Sequence, residues 1–191
     1  MTPRHKSVPE KHRAEALGTL RAAVITVSDH RFDLLWSKGK TIQELEDKSG
    51  EKAMTLLEQA GHQVVFRTLL PDHTGMVSST IDHIVDYYDV DMIITLGSTG
   101  ISPRDIAVEA MRSIMDKELE GFGELFRRLS YDRQKDLGAA SILSRATAGV
   151  FKGTLIFCLP GSPQAVDTGM RIILQEIGHM VSVARQSQET T

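Results

Sequence analysis

Four short apolar runs in this chain each stop at small, polar, turn-forming residues, and helix-spaced segments lie between them. Residues 22–27 (AAVITV) run into Ser28-Asp29-His30, and residues 62–70 run into Pro71-Asp72-His73. Residues 92–96 run into Gly97-Ser98-Thr99-Gly100, and residues 154–159 (TLIFCL) into Pro160-Gly161-Ser162-Pro163. Runs of this length without alternation suit strands buried on both faces. The intervening segments repeat apolar residues at helical spacing: Ala53, Leu56, Leu57 and Ala60; Ile81, Ile84, Val85 and Tyr88; Val108, Met111 and Met115; Phe122, Leu125, Phe126 and Leu129. A final stripe holds Val166, Met170, Ile173, Leu174, Ile177 and Val181. Strands alternating with amphipathic helices predict an α/β fold, a three-layer sandwich with a mostly parallel central sheet. Ser49 is the expected N-cap of the first of these helices and Gly61 its stop, and Asp105 is expected to open another. The stretch from His30 to about Lys48, with Trp36 and Gly39, reads as irregular.

With 191 residues the chain is long enough for one sizeable domain. Its net charge of −3 is the wrong sign for a generic nucleic-acid binder. No apolar run reaches the ~18 residues of a membrane span. The polar N-terminal stretch, MTPRHKSVPEKHR, lacks the apolar centre of a signal peptide. A single cysteine, Cys158, sits in an apolar run, so no intrachain disulfide is possible and a reducing cytoplasmic setting is expected. Residues 1–20 are read as an N-terminal arm that orders against another subunit, residues 21–185 as the folded domain, and residues 186–191 as a polar tail.

In an open α/β sheet, ligands bind beyond the carboxyl ends of the strands. Here those ends gather Ser28 and Asp29, Asp72, the Gly97-Ser98-Thr99-Gly100 turn, and Pro160, Gly161 and Ser162. A glycine-bearing turn between a strand and a helix lets backbone amides approach an anion, so a phosphate or pyrophosphate fits. Gly100 is expected to combine this close approach with a positive φ. Asp72 and Asp105 suit two roles, helix N-caps or oxygen ligands of Mg²⁺, and Arg104 can neutralise phosphate oxygens. The turn is neither a Walker A loop nor GxGxxG. HExxH, CxxC and GxSxG are absent, which argues against zinc and serine-triad chemistry.

Longer motifs then converge on one family: ITVSDHR (25–31), DKSG (47–50), LPD (70–72), LGSTGISPRD (96–105), EGFGELFRRLSY (120–131), ILSRATAGV (142–150) and IFCLPGSP (156–163). With these the chain resembles the MoaB/MogA family of molybdenum-cofactor biosynthesis proteins. The resemblance implies molybdopterin and ATP as substrates, Mg²⁺ as cofactor, and transfer of AMP to the terminal phosphate of the pterin with release of pyrophosphate. It places the family's two functional aspartates on Asp72 and Asp105 and its glycine loop on residues 97–100, with Ser98 where the family has a glycine. Ser49, Gly50, Ser144 and Arg145 join the strand-end residues as candidate substrate contacts. The resemblance also implies a homo-oligomer, a trimer or dimer of trimers, and partners such as the metal-insertion enzyme. Some members of the family bind without catalysing, and the Pro-Arg-Asp and Pro-Asp elements here favour the active branch.

Overall fold

A computed structural model describes residues 18–41, 44–133 and 138–186. The expected N-terminal arm and polar tail fall almost wholly outside these residues. The chain forms a six-stranded sheet in the order β2-β1-β3-β6-β5-β4. Its strands are β1 (Arg21–Val27), β2 (Gln63–Leu70), β3 (Met92–Leu96), β4 (Lys117–Glu118), β5 (Thr147–Phe151) and β6 (Thr154–Leu159). The first four in spatial order are mutually parallel, and β5 and β4 continue antiparallel. The register sets Ile25 beside Thr95, and Thr95 beside Cys158, across the three central strands.

The helices are α1 (Asp29–Ser37), α2 (Lys48–Gln59), α3 (Thr74–Tyr87), α4 (Ala107–Arg112), α5 (Glu120–Arg133) and α6 (Pro163–Gln186). Period-two alternation splits the strands between two cores. On one face Ala22, Val24, Ile94, Leu96, Phe157 and Leu159 meet Ala53 and Leu57 of α2, Phe122 and Phe126 of α5, and Val166, Met170, Ile173 and Ile177 of α6. On the other, Ala23, Ile25, Ile93, Ile156 and Cys158 meet Val77, Ile81 and Ile84 of α3 and Val108 and Met111 of α4. The three-layer α/β/α expectation holds, with a mostly parallel sheet.

Four local expectations are corrected. The stretch after His30 is helical in α1, which Ser28 caps through a hydrogen bond from the Arg31 amide. None of its residues is fully buried and Trp36 is 81 % exposed, although Phe32, Leu35 and Trp36 stand at helical spacing. The N-cap of α2 is Asp47, whose Oδ1 accepts from Gly50 N at 3.0 Å; Ser49 lies inside the first turn. Asp72 does not cap α3: His73 does, accepting from Met76 N through Nδ1. Asp105 does not cap α4, which begins after Ile106 with no cap bond from that residue.

Candidate active site

The four parallel strands deliver their C-terminal ends to one edge in the order β2, β1, β3, β6. At the β1–β2 end two aspartates form a reciprocal clasp. Asp72 Oδ2 accepts from Asp29 N at 3.1 Å, and Asp29 Oδ1 accepts from Asp72 N at 2.9 Å. The Ser28 amide donates to Leu70 O at 2.8 Å and extends the pairing of the two strands by one step. Each carboxylate thus commits one oxygen to backbone, and its other oxygen makes no hydrogen bond among the described residues.

The β3 end is crowded. Gly97 has φ +99°, and a Cβ there would lie 2.4 Å from Val27 O. Only glycine tolerates both conditions. Gly97 N donates to Leu159 O at 2.9 Å, and a Cβ on Gly161 would lie 3.2 Å from Gly97 Cα. Ser49 Oγ donates to Gly161 O at 2.6 Å, which draws the start of α2 onto the same edge. That start is anchored underneath by buried Asp47, which accepts from Thr26 Oγ1 (2.7 Å) and from Arg67 (3.2 Å) as well as from Gly50 N.

Ser98 follows with φ +54°, a left-handed conformation held by its own contacts. Ile106 N donates to Ser98 Oγ at 2.9 Å and Ala107 N donates to Ser98 O at 3.0 Å. Ser98 therefore supplies the missing cap of α4 from eight residues upstream, and its hydroxyl is turned to the helix. At Gly100 the expected positive φ is absent; a Cβ there would lie 2.7 Å from Asp105 Oδ2. The requirement at Gly100 is space for a carboxylate rather than backbone handedness. Asp105 Oδ2 accepts from Ser102 N at 2.8 Å and closes the turn, and its other oxygen makes no hydrogen bond among the described residues. The Arg104 side chain is exposed, and its guanidinium has no partner among the described residues.

The amides of Ser98, Thr99, Gly100 and Ile101 likewise donate to no acceptor among the described residues. Four consecutive open donors on a rigid strand end suit an anion. The flanking carboxylates hang from β2 and from the loop after β3, strands two spacings or about 10 Å apart.

Arg145, an expected substrate contact, is turned toward the protein. Its Nε donates to Gly100 O at 2.8 Å, Nη2 to Asp105 O at 3.3 Å, and its amide to Thr99 O at 3.3 Å. Glu109 of α4 receives the guanidinium through both carboxylate oxygens. This hydrogen bonding holds the Glu109 carboxyl below the usual carboxylate range and raises Arg145. Ser144 Oγ accepts from Ala146 N at 3.4 Å, and Ser162 Oγ caps α6 by accepting from Ala165 N at 3.2 Å. Pro160 is half-buried beside them. Burial pushes the Cys158 thiol up to about 12, so it supplies no thiolate near neutral pH.

Among the described residues no group of three or more His, Cys, Asp or Glu side chains is placed to hold a metal ion. Mg²⁺ needs no such group: it takes one or two carboxylates and completes its shell with water and substrate phosphates. The open oxygens of Asp72 and Asp105 are hard donors of that type. A 440 Å³ hollow is lined by His30, Arg31, Leu34 and Lys40 together with Glu44, Leu45 and Glu46. Sequence reading missed Glu109 and Asp47. Asp47, three residues before Gly50, carries a capping signal; Glu109 is one exposed acid on a helix and carries none.

Comparison with known proteins identifies the family. Residues 23–179 match the family model described as a probable molybdopterin binding domain. A relative from Methanocaldococcus jannaschii called probable molybdopterin adenylyltransferase is 43 % identical over 168 residues, covering 87 % of this chain and 95 % of the relative. Molybdenum cofactor biosynthesis protein B of Halalkalibacterium halodurans is 42 % identical over 174 residues, covering 90 % and 94 %. The crystal structure of the tungsten cofactor synthesizing protein MoaB from Pyrococcus furiosus superposes with a TM-score of 0.74 at 37 % identity, covering 89 % of this chain and 99 % of that one. The chain belongs to the molybdopterin-binding family of molybdenum cofactor biosynthesis proteins.

Proposed function

We propose that this protein is a molybdopterin adenylyltransferase, transferring AMP from ATP to the terminal phosphate of molybdopterin and releasing pyrophosphate. The observation that carries the reading is the run of four open amides, Ser98 to Ile101, flanked by aspartates that each keep one oxygen uncommitted. Two crowded polyanions must be brought together, and the reaction forms one phosphorus–oxygen bond while breaking another. A protein catalyses this by positioning and by neutralising charge. The loop amides bind phosphate oxygens, and Arg104, exposed and with no guanidinium partner among the described residues, adds the positive charge. Ser28, Asp29, Ser49, Gly50, Ser144, Pro160, Gly161 and Ser162 shape the surrounding edge. Asp72 and Asp105 would hold Mg²⁺, which when bound supplies neutralising charge at the transferring phosphates. No covalent intermediate on the protein is needed, in keeping with the buried, protonated Cys158.

The protein works in this reading as a trimer or dimer of trimers in the cytoplasm, passing its product to the metal-insertion enzyme. The single cysteine supports a reducing setting, and among the described residues no helix is long and apolar enough to cross a membrane. Incubation with molybdopterin, ATP and Mg²⁺, followed by chromatography, tests the activity. Adenylylated pterin and pyrophosphate in equal amounts are expected, abolished by a chelator. Pterin binding without any product would leave a carrier in place of an enzyme.

A further inference from the structure

We propose that Glu109 is a positioning residue of the phosphate loop, acting through Arg145. The inference rests on reading residues 97–100 as the phosphate site. An arginine has five N–H donors in one plane. Here Nε goes to Gly100 O, Nη1 to Glu109, and Nη2 to both Glu109 and Asp105 O. Only one donor remains, so this guanidinium is nearly spent on the protein. Its two-oxygen pairing with Glu109 fixes the orientation of the plane, and the plane in turn fixes the carbonyls it meets.

Peptide planarity turns that into a statement about the site. In a trans peptide the carbonyl and the following amide point in opposite directions. Arg145 holds the Thr99 carbonyl through its backbone amide and the Gly100 carbonyl through Nε. The amides of the same two peptide units belong to Gly100 and Ile101, two of the four open donors. Holding the carbonyls toward Arg145 aims those amides away from it. The Asp105 carbonyl is held by the same guanidinium, and its peptide unit carries the Ile106 amide that binds Ser98 Oγ. Among the described residues the Thr99–Gly100 and Gly100–Ile101 peptide units make no other hydrogen bond, and Ile101 is exposed. Glu109 sits on α4 with a half-exposed side chain. Among the described residues its side chain meets the loop through Arg145 alone.

The test compares Glu109→Ala, Glu109→Gln, Arg145→Lys and the Glu109→Ala/Arg145→Lys double variant, with Gly100→Val as a reference for the loop. ATP and molybdopterin are titrated separately by calorimetry, and AMP transfer is followed in single turnover. Whichever substrate loses affinity in Gly100→Val is expected to lose roughly 10-fold in Glu109→Ala, at nearly unchanged melting temperature. Glu109→Gln, which keeps an acceptor, recovers part of the loss, and the double variant is no worse than Arg145→Lys alone. Unchanged affinity in Glu109→Ala alongside a loss in Gly100→Val overturns the positioning role. So do additive losses in the double variant, which would make Arg145 a direct ligand. Full affinity for both substrates in a folded Gly100→Val protein instead refutes the phosphate reading of the loop itself.

Discussion

The two ends of the parallel strands treat their aspartates differently. At the N-terminal edge, Asp91 is 5 % exposed and fully committed: Oδ2 accepts from Arg21 N at 2.6 Å and Oδ1 from the Arg185 guanidinium. Its backbone also bridges β1 and β6, through bonds to Arg21 O and from Leu155 N. At the C-terminal edge, Asp29, Asp72 and Asp105 each accept one backbone amide and leave an oxygen open. The same residue type is a fastener at one edge and an available ligand at the other. The difference is set by what surrounds it: long cationic side chains and strand backbone below, small residues and unpaired amides above.

Substitutions that exchange these characters sharpen the contrast. Gly97→Val is expected to have the largest effect. Its Cβ would lie 2.4 Å from Val27 O at φ +99°, so the chain must move at the junction of three strand ends. Strain and overpacking together cost roughly 3 kcal/mol or more, and transfer activity should go with them. A normally folded, active variant would show the edge to be pliable enough to take a side chain at this junction. Next is Asp91→Ala, which leaves the Arg21 amide without its acceptor. A loss of roughly 1–3 kcal/mol in urea unfolding is expected, with activity of the folded fraction intact. Unchanged stability would remove the fastener role.

Ser98→Gly should do little. Relief of the left-handed strain offsets loss of the bond from Ile106 N, so stability stays within about 1 kcal/mol. If transfer falls more than tenfold in this variant, the hydroxyl touches substrate rather than capping α4. The smallest effect is a pH dependence at the N-terminal edge. Neutral His62 accepts from Leu20 N at 3.3 Å, and burial holds its pKa below the ordinary value, against the pull of Asp91. The unfolded chain therefore takes up the proton first. Stability should fall as pH drops through the ordinary histidine pKa, about 6.5, and level off once the folded protein is protonated as well. His62→Asn, which supplies an uncharged acceptor, should flatten that slope, and an unchanged slope would assign it to other groups.

Most of the sheet was legible because burial on both faces leaves an unbroken apolar run, as in β3, found over residues 92–96. The antiparallel edge was not. β5 reads TAGVF, with alanine and glycine in place of β-branched residues, and β4 is two exposed residues long. Helix α1 escaped notice because its apolar stripe, Phe32, Leu35 and Trp36, is about one turn long and none of its residues is fully buried. The strand-end residues were legible from turn chemistry alone, since Gly, Pro, Ser and Asp mark where a strand stops. How they pair was not. The Asp29–Asp72 clasp joins residues 43 positions apart, and the Glu109–Arg145 pair spans 36; no spacing rule reaches that far.

If AMP transfer belongs to the edge with open carboxylate oxygens, it depends on the charge of Asp105, and Asp105→Asn removes that charge alone. Asparagine still accepts from Ser102 N through Oδ1, so the turn survives while the charge and the open anionic oxygen are lost. Single-turnover transfer from ATP to molybdopterin should fall roughly 10²–10³-fold, with the melting temperature of the same sample unchanged. Near wild-type transfer at saturating Mg²⁺ would contradict the account, leaving Asp105 as the closure of a turn and nothing more.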